Sequence, residues 1–545
     1  NLGGASRTIT VNGSTLTLNG SVTSAGLGIT KAGAGALVLG GIVATTSGTV
    51  TVNAGSLRLS GVNTYTGGTT LAAGATLYAG NNSAFGTGAL TLNGGTLSSA
   101  SATAYTLANN TTVAGNLALG DGVNAGNLTL NGTVGLGTTV RSLTVSSGVN
   151  VTMNGVISGA LGGITKLGAG TLTLGGASAN TFTGATTLTA GTLATTTAGR
   201  FTTTSGVSVG AGTTLSLGAN ETINALTTTT TSTIVLNASG ATLTTGASTL
   251  TLYGTVSGTG NLTKAGAGTV TLDAAGTFSY TGLTTVSAGT LAYAANDQLS
   301  GAVTVAGGTL SLGAFTDTIG KLTVSGGAIT GTGAFTVNST DTFDLQSGSV
   351  AVDLGGTAAA TKTTAGSVTL TGNNGFTGGF TLSLGTVLIG TDTALGNGAL
   401  ALNGGVLASN ATVAAAGARS IANNLTIGGN VTLGNGTNTG VLTFGGTVDL
   451  GAASRTLTTD SDVTMSGVIS NGTLTKAGAG TLTLSGLNSY AGLTTVTAGT
   501  LVTTSAGILA NTSGISISSG ATIKLQGSET LNSIANSGTL TLDGA

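Results

Sequence analysis

The sequence predicts an all-β chain wound as a parallel β-helix, a solenoid with about three short strands to each coil. Three observations carry that expectation. Short runs alternate apolar and polar residues almost throughout, as in Thr15–Leu18, Thr171–Leu174, Thr269–Leu272 and Thr539–Leu542. A period of two sets Leu, Val and Ile on one face and Thr or Ser on the other. Glycine supplies 99 of the 545 residues, and Gly, Asn-Gly or Ser-Gly punctuates the runs every ~8–10 residues, where corners need it. Proline, which deletes a ladder hydrogen bond wherever it enters a stacked strand, is absent.

Each element follows from those patterns. Threonine is β-branched and suits an outward pleated face, while the aliphatic positions supply a narrow core that one coil alone cannot close. Three strands of about eight residues make a coil of ~24, within the range of solenoid repeats. Residues 1–545 are accordingly expected to form one continuous β-helix. Competing classes fail on composition. Disorder requires low hydrophobicity and high net charge, but 39% of residues are hydrophobic and the formal net charge is −1. Glycine lacks the every-third spacing of collagen, and apolar stretches such as Ala36–Ala44 fall short of a membrane span. No secretory signal is visible at Asn1.

Repeats favour a solenoid over other all-β architectures. Leu474-Thr-Lys-Ala-Gly-Ala-Gly-Thr-Leu-Thr-Leu-Ser-Gly486 is followed by Asn488-Ser-Tyr-Ala-Gly-Leu-Thr-Thr-Val-Thr-Ala-Gly-Thr-Leu501. Related copies begin near Ile29, Ile164, Leu262 and Ala360, with Lys31, Lys166, Lys264 and Lys362 in the slot of Lys476. A copy without the lysine runs from Ala54 through Asn63-Thr-Tyr-Thr-Gly67 to Leu77. A longer similarity is layered on these: Ala84–Leu97 matches Ala394–Leu407 at 10 of 14 positions, and Val151–Ser158 matches Val463–Ser470 at all but one.

The string Leu-Thr-Lys-x-Gly-x-Gly-Thr-Leu-Thr-Leu-Ser-Gly-x-Asn-(Thr/Ser)-Tyr-x-Gly resembles the autotransporter-associated β-strand repeat of bacterial passenger domains. The likeness is specific at 472–501, good at 163–193 and 261–291, and partial at 54–77 and 359–387. It implies a right-handed β-helix exported through the inner membrane and presented outside the cell by a C-terminal outer-membrane barrel. Aromatic residues are 3% of the chain, too few for the girdles of such a barrel, which is expected to be encoded elsewhere if it exists. Export also accounts for the missing residues. Cysteine would lock loops in an oxidising periplasm, and proline would slow folding.

Composition removes most chemistry. There is no His or Cys, hence no imidazole base, thiol nucleophile or usual zinc, haem or iron–sulfur site. The charge balance leaves no footprint for nucleic acid. No cofactor is expected, and no membrane insertion by this segment. Because β-helices include polysaccharide lyases and hydrolases, grouped acids are candidates: Asp341, Asp344 and Asp353 form one group, in which 341 and 344 point to opposite faces of a strand, and Asp460 and Asp462 form another and share a face. Gly120-Asp121-Gly122 and Gly434-Asn435-Gly436 lack the regular aspartates of a calcium-binding repeat.

Two repeated placements stand out. Arg7 with Lys31, Arg141 with Lys166, and Arg455 with Lys476 are each about one coil apart. They read either as small cationic spots for an anion, such as lipopolysaccharide phosphate or an acidic glycan, or as solvated turn residues. Tyr65, Phe182, Tyr280, Phe376 and Tyr490 recur in the motif and read as core or corner packing rather than a sugar-stacking stripe. Residues 1–20 and 530–545 look like ordinary coils rather than caps, so either the chain continues or copies stack end to end. The reading is a non-enzymatic extracellular shaft for adhesion, matrix or filament building. A glycan-binding adhesin and a β-helical polysaccharide lyase or hydrolase are the alternatives.

Overall fold

The computed structural model describes residues 1–237, 242–245, 249–411 and 417–543. Among them every regular element is a short strand, and the strand pairings are parallel. The backbone folds as two compact units, Asn1–Gly282 and Leu283–Ala545, each a parallel β-solenoid.

In the first unit, Arg7–Thr10 lies on Ile29–Ala32, which lies in turn on Val50–Val52, Thr69–Leu71, Leu90–Leu92 and Thr111–Val113. An adjoining ladder stacks Ala36–Leu39, Ser56–Leu59, Thr76–Ala79 and Gly95–Ser99. Its inward row is Leu37, Leu57, Leu77 and Leu97, each 0% exposed. Sealing each such side chain contributes about 1.5–3 kcal/mol. Outward rows are as regular: Thr171, Thr192, Thr214, Thr233, Thr255 and Thr277 stand one above another. The second unit repeats the scheme, with Val368, Val387 and Leu407 stacked inward and Thr481, Thr500, Thr522 and Thr539 stacked outward.

Coil length departs from the expected ~24 residues. It falls to 17 where Thr522 pairs with Thr539 and rises to 26 where Leu117 pairs with Leu143. The three-strand expectation holds where Tyr105–Leu107, Thr111–Val113 and Leu117–Leu119 follow one another. In the motif-bearing coils the third side is irregular. Asn63–Gly67 forms no strand there, although Thr64 N–H still reaches Val43 O at 3.2 Å and Thr66 N–H reaches Thr46 O at 2.6 Å.

Glycine earns its frequency at the corners. A Cβ on Gly155 or Gly467 would drive into the carbonyl oxygen of Gly132 or Gly446 on the coil beneath. Only a bare Cα lets successive corners approach that closely.

Candidate functional site

The motif lysines lie inside the solenoid. Period-2 alternation puts Lys31 on the same face as Ile29, and likewise Lys166, Lys264, Lys362 and Lys476, all at most 1% exposed. An ammonium taken from water must have its protons bound, and the chain provides the acceptors. Lys31 Nζ donates to the carbonyls of Ala32 (2.8 Å) and Gly33 (2.7 Å), and across the coil boundary to Ala54 (3.1 Å). Lys166 repeats this with Leu167, Gly168 and Ala190 at 3.0, 2.7 and 3.0 Å. Lys476 does so with Ala477, Gly478 and Ala498 at 2.9, 2.7 and 3.0 Å.

Gly33, Gly168 and Gly478 have φ of 77°, 75° and 79°, a left-handed turn that presents the second carbonyl to the ammonium. Lys362 lacks that glycine and bonds Thr364 O and Leu384 O instead. Burial lowers the affinity of all five for their proton, bringing Lys166 and Lys476 down to about 8, while Asp460 and Asp462 partly oppose this at Lys476. These lysines are therefore staples between coils and not surface cations: desolvation is met by carbonyls, and no proton is left for an outside anion.

The arginines stay at the corners. Arg7, Arg141 and Arg455 each donate from Nε to the carbonyl five residues back, Leu2, Leu136 and Leu450, at 2.8, 3.1 and 3.0 Å. Arg7 is exposed and the other two are half-buried. Arg7 pairs with Ile29 while Ile9 pairs with Lys31, and the other two sites share this register. The arginine and lysine thus lie on the same strand face of adjoining coils, two residues out of step, with the lysine sealed inside and the arginine at the corner. The shared pattern Leu-Gly-x-x-x-Arg was the available signal for this clasp.

Three of the motif asparagines bridge three coils. Asn63 Oδ1 accepts the N–H of Val43 at 2.7 Å and its Nδ2 donates to Ala84 O at 2.6 Å. Asn374 does the same between Leu354 (2.8 Å) and Ala394 (2.6 Å), and Asn180 between Ile157 (3.0 Å) and Arg200 (3.3 Å). The aromatic residues Tyr65, Phe182, Tyr280, Phe376 and Tyr490 are core, 0–1% exposed. Tyr65 and Tyr490 pair their hydroxyls with Thr69 (2.6 Å) and Thr494 (2.8 Å).

Three acids carry no announcement in the sequence, Glu221 and Asp317 buried and Glu529 half-buried. Glu221 accepts the backbone N–H groups of Arg200 (2.9 Å) and Phe201 (3.2 Å), Glu529 those of Ile508 and Leu509 (both 2.9 Å). Asp317 Oδ2 takes the N–H of Leu299 and the hydroxyl of Tyr293, both at 2.8 Å. Burial pushes all three carboxyls upward, Glu221 to about 7. Their common sequence mark is an acid followed by Thr and then Ile or Leu.

Of the acids considered for catalysis, Asp344, Asp353 and Asp462 are each engaged by a different local partner. Asp462 accepts the N–H of Thr481 at 2.9 Å, Asp353 that of Asn373 at 2.7 Å, and Asp344 pairs with Lys321 at 3.4 Å. Among the described residues no group of three or more side chains is placed to hold a metal ion.

Residues 29–59, 54–79, 164–194, 262–292, 361–389 and 474–502 match the passenger-associated-transport-repeat family. No curated protein and no solved structure matches the chain. The matched segments 164–194, 361–389 and 474–502 each carry the buried lysine, the motif asparagine and the core aromatic, and the others carry one or two of the three. Six such repeats, wound into parallel β-solenoid, are consistent with an autotransporter passenger domain.

Proposed function

We propose that the chain is a non-catalytic structural shaft, carried outside a bacterial cell and used for adhesion, matrix or fibre building. One observation supports this reading above others: the repeat's polar groups are turned inward and consumed there, lysine and asparagine joining coil to coil and tyrosine bonding a threonine of its own coil. A motif that served substrate or receptor would leave such groups open to solvent. Thr and Ser rows, with little charge, remain outside as a hydrated surface. Nearest-neighbour stacking suits a chain that emerges unfolded and winds as it appears.

The test is a depolymerisation assay on acidic and neutral polysaccharides, reading new reducing ends, with Asp460→Ala and Asp462→Ala beside the parent. No release by any of the three is expected. Turnover by the parent that either substitution abolishes overturns the non-catalytic reading.

A further inference from the structure

One outward row in the first unit breaks the Thr and Ser texture. Val38, Arg58, Tyr78 and Ser98 stand in register on successive coils. Arg58 and Tyr78 line a groove of about 270 Å³ together with Thr15, Ser56 and Asn124. Arg58 is exposed, donates from Nε to Ser60 Oγ at 3.1 Å, and is in no ion pair among the described residues. Asp121 lies close enough to the Tyr78 hydroxyl for its negative charge to help hold the phenol protonated. That carboxylate receives Asn124 Nδ2 at 2.8 Å and Asn124 N–H at 2.7 Å, so the amide is held in place.

The internal duplication says whether the fold itself needs these residues. Where Ala394–Leu407 repeats Ala84–Leu97, the corresponding row is Thr369, Leu388 and Ala408, stacked in the same parallel register. The aspartate is replaced there by Asn435, whose Oδ1 makes the same turn with the N–H groups of Thr437 and Asn438. The coils close equally well without guanidinium, phenol or carboxylate. Something other than winding accounts for the guanidinium and the phenol sharing one groove, with the carboxylate bound to its Asn124.

Their chemistry is complementary to one class of ligand. A guanidinium fork meets a carboxylate in two parallel hydrogen bonds. A tyrosine ring offers a flat apolar face to the C–H face of a sugar, and the hydroxyl and amide groups around it suit ring hydroxyls. The groove is small for a pocket, and Ala36, Leu37, Val38 and Ala100 complete its lining. We propose that it binds an acidic saccharide, the carboxylate of a uronic-acid unit on Arg58 and its ring against Tyr78, with Thr15, Ser56 and Asn124 serving the hydroxyls. This adds a recognition site to a shaft and is independent of whether the shaft reading holds.

Isothermal titration of the full chain with trigalacturonate, neutral galactotriose and acetate tests it. Arg58→Thr and Tyr78→Leu import the residues of the other copy, so the winding is retained, as an unchanged circular dichroism spectrum verifies. Saturable binding of trigalacturonate is expected, weakened roughly tenfold or more by either substitution, with galactotriose at least as much weaker. No binding of trigalacturonate by the parent, equal affinity in Arg58→Thr, or full displacement by acetate at the same concentration each overturns the proposal.

Discussion

Phe182→Tyr is expected to stabilise its coil, and Phe376→Tyr, the same chemical change in the same motif slot, to destabilise its own. At Tyr65 and Tyr490 the hydroxyl meets the threonine four residues on, Thr69 or Thr494. At Phe182 that threonine is still present as Thr186, 0% exposed, and its hydroxyl has no partner. At Phe376 the residue four on is Phe380, so neither half of the pair exists. Adding a hydroxyl at 182 completes a buried bond worth about 1 kcal/mol net. Adding one at 376 buries a donor with no acceptor opposite, at a cost of about 1–3 kcal/mol, beside a ring already packed 5.5 Å from Phe343. Native-state amide exchange reads each coil separately. The Thr186 N–H, bonded to Gly206 O at 2.9 Å, should exchange about fivefold more slowly in Phe182→Tyr. The Phe380 N–H, bonded to Ala399 O at 2.9 Å, should exchange faster in Phe376→Tyr. Equal effects of one sign at the two positions would refute the pairing logic.

Two further expectations concern buried charge. Lys166→Met or Lys476→Met strands three carbonyls and should lower stability by about 3 kcal/mol at pH 7 in urea unfolding. Each lysine falls from its ordinary 10.5 to about 8 in the fold, so between those values the unfolded chain holds a proton that the folded one has lost. Stability of the parent should therefore climb from pH 8 to 10.5, and the methionine variants should show less of that rise. Glu221 works in the opposite sense. Raised from 4.5 to about 7, it holds its proton longer folded than unfolded, so its contribution is full below pH 4.5 and lost by pH 7. Glu221→Gln should flatten that slope, which exchange at the N–H groups of Arg200 and Phe201 would report.

The winding was legible because it depends on local repetition: alternation, glycine corners and the absence of proline each speak for a residue and its neighbours. The lysines were legible too, since Ile29-Thr-Lys31 already places lysine on the aliphatic face, but an expectation that charge lies outside outweighed the periodicity. What reverses it is a carbonyl from Ala54, a coil away and visible only once coils are stacked. Glu221 was hidden for a similar reason. It caps backbone N–H groups about one coil earlier, and nothing near it in the chain announces a partner. The core aromatics were placed correctly as packing, because a tyrosine or phenylalanine near a glycine corner has few other places to go. The groove around Arg58 escaped notice because Arg58, Tyr78 and Asp121 lie on three different coils.

Coil length varies widely inside this one molecule, yet leucine still falls on leucine. Where Leu117 meets Leu143, as where Thr522 meets Thr539, the difference in length is taken up between the strands and leaves the interior row undisturbed. The bends can therefore accept inserted peptide without any aliphatic group changing sides. Such a scaffold can gain outward loops one at a time, each tried against the environment while the interior that supports it stays the same.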